Sequence, residues 1–249
     1  KKTSSGKITQ SGLAIGTSSN VSHAAEILSF LMLEQGIDII DSSRTTVTLN
    51  TTKVKSVMDT YIGFATGKNA IWDSSLGTDL NMFFQGKLAM MIAPSRRAFE
   101  IVQSAPTIEF GTTTLPQLAA NNTPIYYSTY WGEAVNKNST NPKLAWDFIN
   151  FLAQKEQQKA FYSNAAKIRA FGEPYSLVEL NQELQSQPYI SAVGVSSSNM
   201  ESWQMGDESF VKASINEAIT SIVEDGTDTQ TALQNAEEAI NKQLAQTNK

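Results

Sequence analysis

One histidine, four tryptophans and no cysteine bound the chemistry open to this sequence. Without cysteine there is no disulfide, no thiolate nucleophile and no cysteine-based zinc site. A nucleophilic triad would rest on His23 alone, with no G-x-S-x-G elbow beside it. No G-x-x-x-x-G-K-S/T loop cradles phosphate and no H-E-x-x-H spacing holds metal, so neither a cofactor nor a metal is expected. Glu133 and the pair Asp207-Glu208 are carboxylates of the kind glycoside hydrolysis uses. That reaction needs two of them ~5–10 Å apart, a separation that sequence does not fix.

Binding chemistry is better represented. Ser95 and Arg96 follow the apolar run Leu88-Ala89-Met90-Met91-Ile92, which reads as a strand buried on both faces. Such a strand, ending in Pro-Ser-Arg, brings a hydroxyl, a charge and free backbone groups to a carboxyl edge, where open α/β sheets take ligands. The alternative is an ordinary core strand followed by a solvated arginine pair. Trp72 beside Asp73 can stack on a sugar ring while the carboxylate accepts hydroxyls, or it can pin its loop to the core. The lone His23 is either a ligand contact or a surface or capping residue. Residues Ile125 to Gly132 read as a strand crowded with aromatics, Tyr130 and Trp131 at its end. Polar side chains at strand exits, with tryptophan and tyrosine nearby, suit a hydroxyl-rich ligand.

Helices and turns must position these groups. Ala24, Ile27, Leu28, Leu31 and Met32 recur at helical spacing, with Asn20 or Ser22 as cap and Gly36 as stop. A second helix runs from Asn50 or Thr51 through Ala65, and a third from Leu76 to Gln85, ended by Gly86. Arg97 to Ser104 is a helix and Ile108 to Thr114 a strand. Asn141-Pro142 opens a helix whose buried face is Ala145, Phe148, Ile149 and Leu152. Two late helices bury Val211, Ile215, Ala218, Ile219 and Ile222, then Leu233, Ala236, Ile240 and Leu244. At 249 residues and 41% hydrophobic content, this suffices for one large domain or two small ones. With 19 basic against 24 acidic residues the net charge is −5, which argues against nonspecific nucleic-acid binding. No apolar run reaches the ~18 residues that a spanning helix requires.

Phe84-Gln85-Gly86-Lys87-Leu88-Ala89-Met90-Met91-Ile92 resembles the F-x-x-G-K-x-A-M-x-(I/F) stretch of extracellular solute-binding proteins of ABC importers, in the maltose-binding-protein-like, sugar-binding branch. More motifs follow in the family's order. Thr113-Thr114-Leu115-Pro116 is similar to its V-x-x-L-P, and Gly132 to Val135, Ser139 and Asn141 to Phe148 to its G-x-x-I, S and N-P-x-x-A-W-x-F. Gly226, Ala232-Leu233 and Ala236 to Asn241 are similar to its closing helix. The resemblance implies an α/β, periplasmic-binding-protein-like (type II) two-lobe fold, present mainly as the C-terminal lobe plus part of the other. Residues 1–92 and 175–249 would form the second lobe, and 93–174 a crossover segment and partial first lobe. It further implies capture of a carbohydrate or similar polyol and delivery to an ABC transporter membrane permease, without catalysis. Location would be extracellular, periplasmic or at the cell surface, through a signal sequence and lipid anchor upstream of Lys1. By motif position the ligand contacts would be Asn20 and His23 in a first elbow, Ser95 and Arg96 after the opening strand, Tyr130 and Trp131 near a crossover, and Trp203 before a late helix, with Trp72 added from its own loop. Maltose-binding protein itself has a stacking tryptophan where this chain has Ser95-Arg96, a departure that argues against a maltodextrin and leaves room for a shorter or charged ligand. A carbohydrate-active hydrolase and a surface adhesion protein without transport are the alternative readings.

Overall fold

Two helices end in the same way, and the reason is glycine. Gly36 and Gly86 both adopt positive φ. Their N–H groups reach back to Leu33 and Phe83, while Ile37 and Lys87 donate to Met32 and Met82. This left-handed turn satisfies the last carbonyls of a helix, and only glycine takes it without steric cost.

The computed structural model of the protein describes residues 1–3, 5–118 and 123–247. In chain order its strands are β1 Ser11–Leu13, β2 Leu88–Met90, β3 Tyr126–Tyr127 and β4 Met200–Glu201. The first helices are α1 Ala24–Glu34, α2 Thr52–Gly63, α3 Asp79–Phe84, α4 Arg97–Ser104 and α5 Pro142–Leu152. The rest are α6 Lys155–Ala165, α7 Val178–Asn181, α8 Ser191–Ser196, α9 Glu208–Val223 and α10 Thr229–Thr247, with short 3-10 turns beside α7 and α8. β1 and β2 run parallel, Ser11 opposite Leu88 and Leu13 opposite Met90, and β3 and β4 form a second two-stranded sheet.

The chain divides into two compact units. The first comprises Lys1–Ala93, Gln117–Tyr127 and Glu201–Lys249, the second Pro94–Pro116 and Ser128–Met200. These differ from the lobes expected from the resemblance in where 117–127 and 175–200 belong.

In the first unit α1, α2, α9 and α10 pack around one apolar core that includes Leu28, Met32, Met58, Val211, Ile215, Leu233 and Ile240. The expected inward faces of α9 and α10 are there, with Ile222 only partly covered. Thr51 accepts from Val54 N–H at the start of α2, and Asp207 from Phe210 N–H at the start of α9. Residues 37–50 form irregular extended structure with an Ile40–Val47 antiparallel bridge. Its free backbone is claimed by α10: Val47 N–H donates to Asn241, and Leu49 and Asn50 N–H to Glu237.

The second unit has a smaller core. Ala98, Phe171, Leu184 and Ile190 are buried, with Phe99, Phe110, Tyr162 and Tyr175 against them. Stacked rings supply much of the contact, Phe99 on Phe171 at 4.1 Å and Phe110 on Tyr189 at 4.7 Å. Gly172 is required, because a Cβ there would stand 2.4 Å from the Tyr162 carbonyl.

Several expectations are corrected. The β2 run is not covered on both faces: Leu88 is buried and Ala89 and Met90 are exposed, because β2 has a single strand neighbour. Residues 108–114 form no strand, and the aromatic stretch is a strand only over Tyr126–Tyr127. Neither Asn20 nor Ser22 caps α1; His23 stands at the N-cap, its side chain making no bond to the helix backbone. The predicted inward face of α5 is not buried. Ala145, Ile149 and Leu152 are half-covered, and Phe148 is exposed.

Candidate functional site

The turn between β1 and α1 is organised by Asn20, which is buried. Its Nδ2 donates to the carbonyls of Asp73 (2.9 Å) and Leu76 (3.2 Å), and its Oδ1 accepts from Thr17 Oγ1 (2.5 Å) and Trp72 Nε1 (2.8 Å). All of its hydrogen-bonding capacity is therefore spent inside the fold. Trp72 has no exposed surface. The expectation that it stacks on a ligand is corrected: the indole pins the 71–76 loop to the core and presents no face outward. Trp203 is corrected on the same ground, being buried with Nε1 donating to Ser29 Oγ at 3.2 Å.

His23 belongs to a polar cluster on the first unit. Its Nδ1 lies 3.2 Å from Glu26 Oε1, and Lys212 Nζ reaches the same oxygen at 2.8 Å while touching Glu208 Oε1 at 2.5 Å. Burial pushes the Glu26 carboxyl up, but hydrogen bonds from His23 and Lys212 outweigh it and hold the group down at about 2. Burial, reinforced by the negative charges of Glu26 and Glu208, raises the Tyr127 phenol, which hydrogen-bonds Ser29. The cluster joins α1, α9 and β3, and its two carboxylates, Glu26 and Glu208, share the single Lys212 ammonium. Sequence reading missed Glu26, Ser29, Tyr127 and Lys212. The spacings of Glu208 to Lys212 and of His23 to Glu26 were visible as helix-face pairs, but the tie from α1 to α9 is tertiary.

On the second unit the predicted contacts are open. Arg96 extends into solvent with Glu100 at 4.0 Å, and the Ser95 carbonyl accepts from Ala98 N–H in the turn before α4. Tyr130 is 82% exposed and Trp131 fully so, on a stretch without regular secondary structure and with Gly132 after it. These rings offer flat apolar faces with no packing partner to keep them from a ligand. The hydrolase carboxylates fare differently: Asp207 caps α9 and Glu208 is tied to Lys212. Among the described residues, no three His, Asp or Glu side chains converge as a metal site. No described helix is long and apolar enough to cross a membrane.

The fold is that of the type II periplasmic binding proteins, present in part. A cyclo/maltodextrin-binding protein complexed with maltotetraose aligns with 95% of this chain at a TM-score of 0.71 and 19% identity. A maltose/maltodextrin-binding domain of Bdellovibrio bacteriovorus bound to maltotriose aligns with 97% at 0.67 and 17%. The chain spans 60% and 62% of the length of those structures. Residues 41–159, which contain the motifs at 84–92, 113–116 and 132–148, match the family model described as bacterial extracellular solute-binding protein. A protein of Brucella abortus named as a binding protein is 31% identical over 86 residues, 34% of this chain and 20% of that protein.

Proposed function

We propose that the protein is the solute-capturing component of an ABC importer and takes a carbohydrate or related polyol without reacting with it. The observation that carries this reading is the exposed pair Tyr130 and Trp131. An indole covers the C–H face of a sugar ring, and polar groups such as those of Ser95 and Arg96 meet hydroxyls around its edge. Gly132 lets the backbone approach closely beside the indole. The family match and the sugar-bound structural relatives support the same class of ligand.

Hand-over to a membrane permease, attachment through an upstream lipid anchor and closure of two lobes about a hinge belong to this proposal. So does the division into lobes, 1–92 with 175–249 and 93–174. The open apolar side chains of α5 and α6, Leu144, Phe148, Phe151 and Phe161, support a partial lobe that further structure covers.

Calorimetric titration with neutral sugars and polyols tests the reading, comparing the native protein with Trp131→Ala alongside melting curves. Removing such an anchor is expected to cost ~2 kcal/mol, roughly thirtyfold in affinity, with little change in melting temperature. Unchanged affinity would mean that Trp131 is not a recognition residue.

A further inference from the structure

Three glycine–lysine pairs, Gly6-Lys7, Gly67-Lys68 and Gly86-Lys87, come together at one end of the first unit, each glycine at positive φ and each lysine exposed. The backbone brings them there. Lys2 and Ile8 bridge antiparallel across the turn at Gly6, and Thr9 N–H donates to the Lys1 carbonyl. That hairpin leads into β1, where Ser11 donates from N–H to the Lys87 carbonyl and from Oγ to the Ile71 carbonyl. Lys2 Nζ reaches the Lys68 carbonyl at 3.3 Å, and Gln10 Nε2 the Gly86 carbonyl at 3.2 Å. Lys1, Lys2, Lys7, Lys68 and Lys87 therefore gather at the amino edge of the β1–β2 sheet. Residues 1–25, 60–72 and 80–99, which build this edge, contain no aspartate or glutamate. Carboxylates that flank these segments have partners of their own: Lys55 for Asp59, Ser75 for Asp73 and Ser22 for Asp79. Lys2 and Lys87 bond neutral groups, the Lys68 carbonyl and the Gln85 amide, and none of the five lysines is in an ion pair among the described residues.

We propose that this lysine-rich edge docks the protein on the face of an anionic phospholipid bilayer. The chain carries a net charge of −5, so its basic edge opposes the sign of the rest, and an acidic surface orients the molecule as well as attracting it. Lysine ammonium groups are point charges without the fork that fixes one phosphate, and they suit a diffuse anionic plane. Basic clusters of this size are drawn to anionic leaflets. The lysines stand on turns, which meet a plane and enclose no ligand. The turns at 5–7, 67–70 and 85–87 hold no aromatic side chain, so the bases of a single-stranded nucleic acid would find no stacking platform. They hold no large apolar side chain to insert either, so contact is with headgroups and is reversed by salt. This docking goes beyond solute capture and uses none of the residues assigned to it, so either reading stands if the other fails.

The test is co-sedimentation of the native protein with vesicles of phosphatidylcholine alone and of an equimolar mixture of phosphatidylcholine and phosphatidylglycerol, at low ionic strength. Binding to the mixed vesicles only is expected, and it should be lost at ~1 M salt, where the screening length is about 3 Å. Each lysine near such a surface is worth roughly fivefold in partition, so Lys7→Gln, Lys68→Gln and Lys87→Gln together should weaken binding about a hundredfold. The same change of charge at exposed positions of the second unit, Lys137→Gln, Lys143→Gln and Lys167→Gln, should leave binding within about fivefold of the native value. Melting curves check that both triple variants are folded. Equal loss in the two variants would mean that net charge alone governs partition, and would overturn the docking edge. Binding to neutral vesicles, or to neither kind, would overturn it too. So would displacement from the vesicles by duplex DNA at matched phosphate concentration, since the edge would then take polyanions at large.

Discussion

At the scale of single residues, the cluster around Glu26 makes a prediction with a definite sign. The folded-state carboxyl titrates at about 2 against an ordinary 4.5, so the unfolded chain binds its proton at higher pH than the folded one. The resulting stabilisation is fully present above pH 4.5 and is lost as pH falls from there to about 2. Partial exposure screens the pair with Lys212, so the contribution is about 1–2 kcal/mol and not the full linkage value. Glu26→Gln should therefore be less stable than the native protein at pH 7 by that amount. The two urea midpoints should converge toward pH 2; a gap that stays constant with pH would sink the idea. Asn20 is a second case. Asn20→Ala should cost ~2–4 kcal/mol, because it leaves the Trp72 N–H and two loop carbonyls unpaired, and ligand affinity of the folded protein should not change. Residue types were legible here, roles much less so. Asn20, Trp72 and Trp203 have the chemistry of ligand contacts, and the sequence held no sign that their polar atoms are consumed by partners about fifty or more positions away.

Elements were easier to read than the surfaces they bury. Helix stops at Gly36 and Gly86 and the cap at Thr51 are local events, fixed by φ preference and by one side chain meeting one N–H. Coverage is not local. The sequence of α5 has an amphipathic pattern, yet no residue of this helix is fully buried. Periodicity says which face wants cover and not whether cover is present. The difference can be measured in stability. Phe148→Ser on α5 should change the unfolding free energy by no more than about 0.5 kcal/mol, as for other surface positions. Leu28→Ala on α1, at a buried position of the larger core, should cost about 2–5 kcal/mol. Comparable losses at the two sites, by urea unfolding, would show that α5 is packed in solution.

For the molecule as a whole, the order of motifs carried the fold, since F-x-x-G-K, L-P and N-P-x-x-A-W mark junctions between elements that recur in sequence. Division into compact units was less legible, because chain segments such as 117–127 join a unit far from them in sequence. Charge and exposed apolar surface together give the final prediction. The net charge is −5 at pH 7, and the isoelectric point is near 5.0. Mutual repulsion therefore fades as pH is lowered to 5, while Leu144, Phe148 and Phe151 remain open along one face of α5. Apolar patches of this kind drive association once charge no longer opposes it. Sedimentation velocity should show a rising average mass between pH 7 and pH 5. The double variant Phe148→Ser, Phe151→Ser should suppress most of that rise without altering the isoelectric point, because neither substitution changes charge. If the variant associates as strongly as the native protein at pH 5, loss of charge alone drives association and the α5 face takes no part in it.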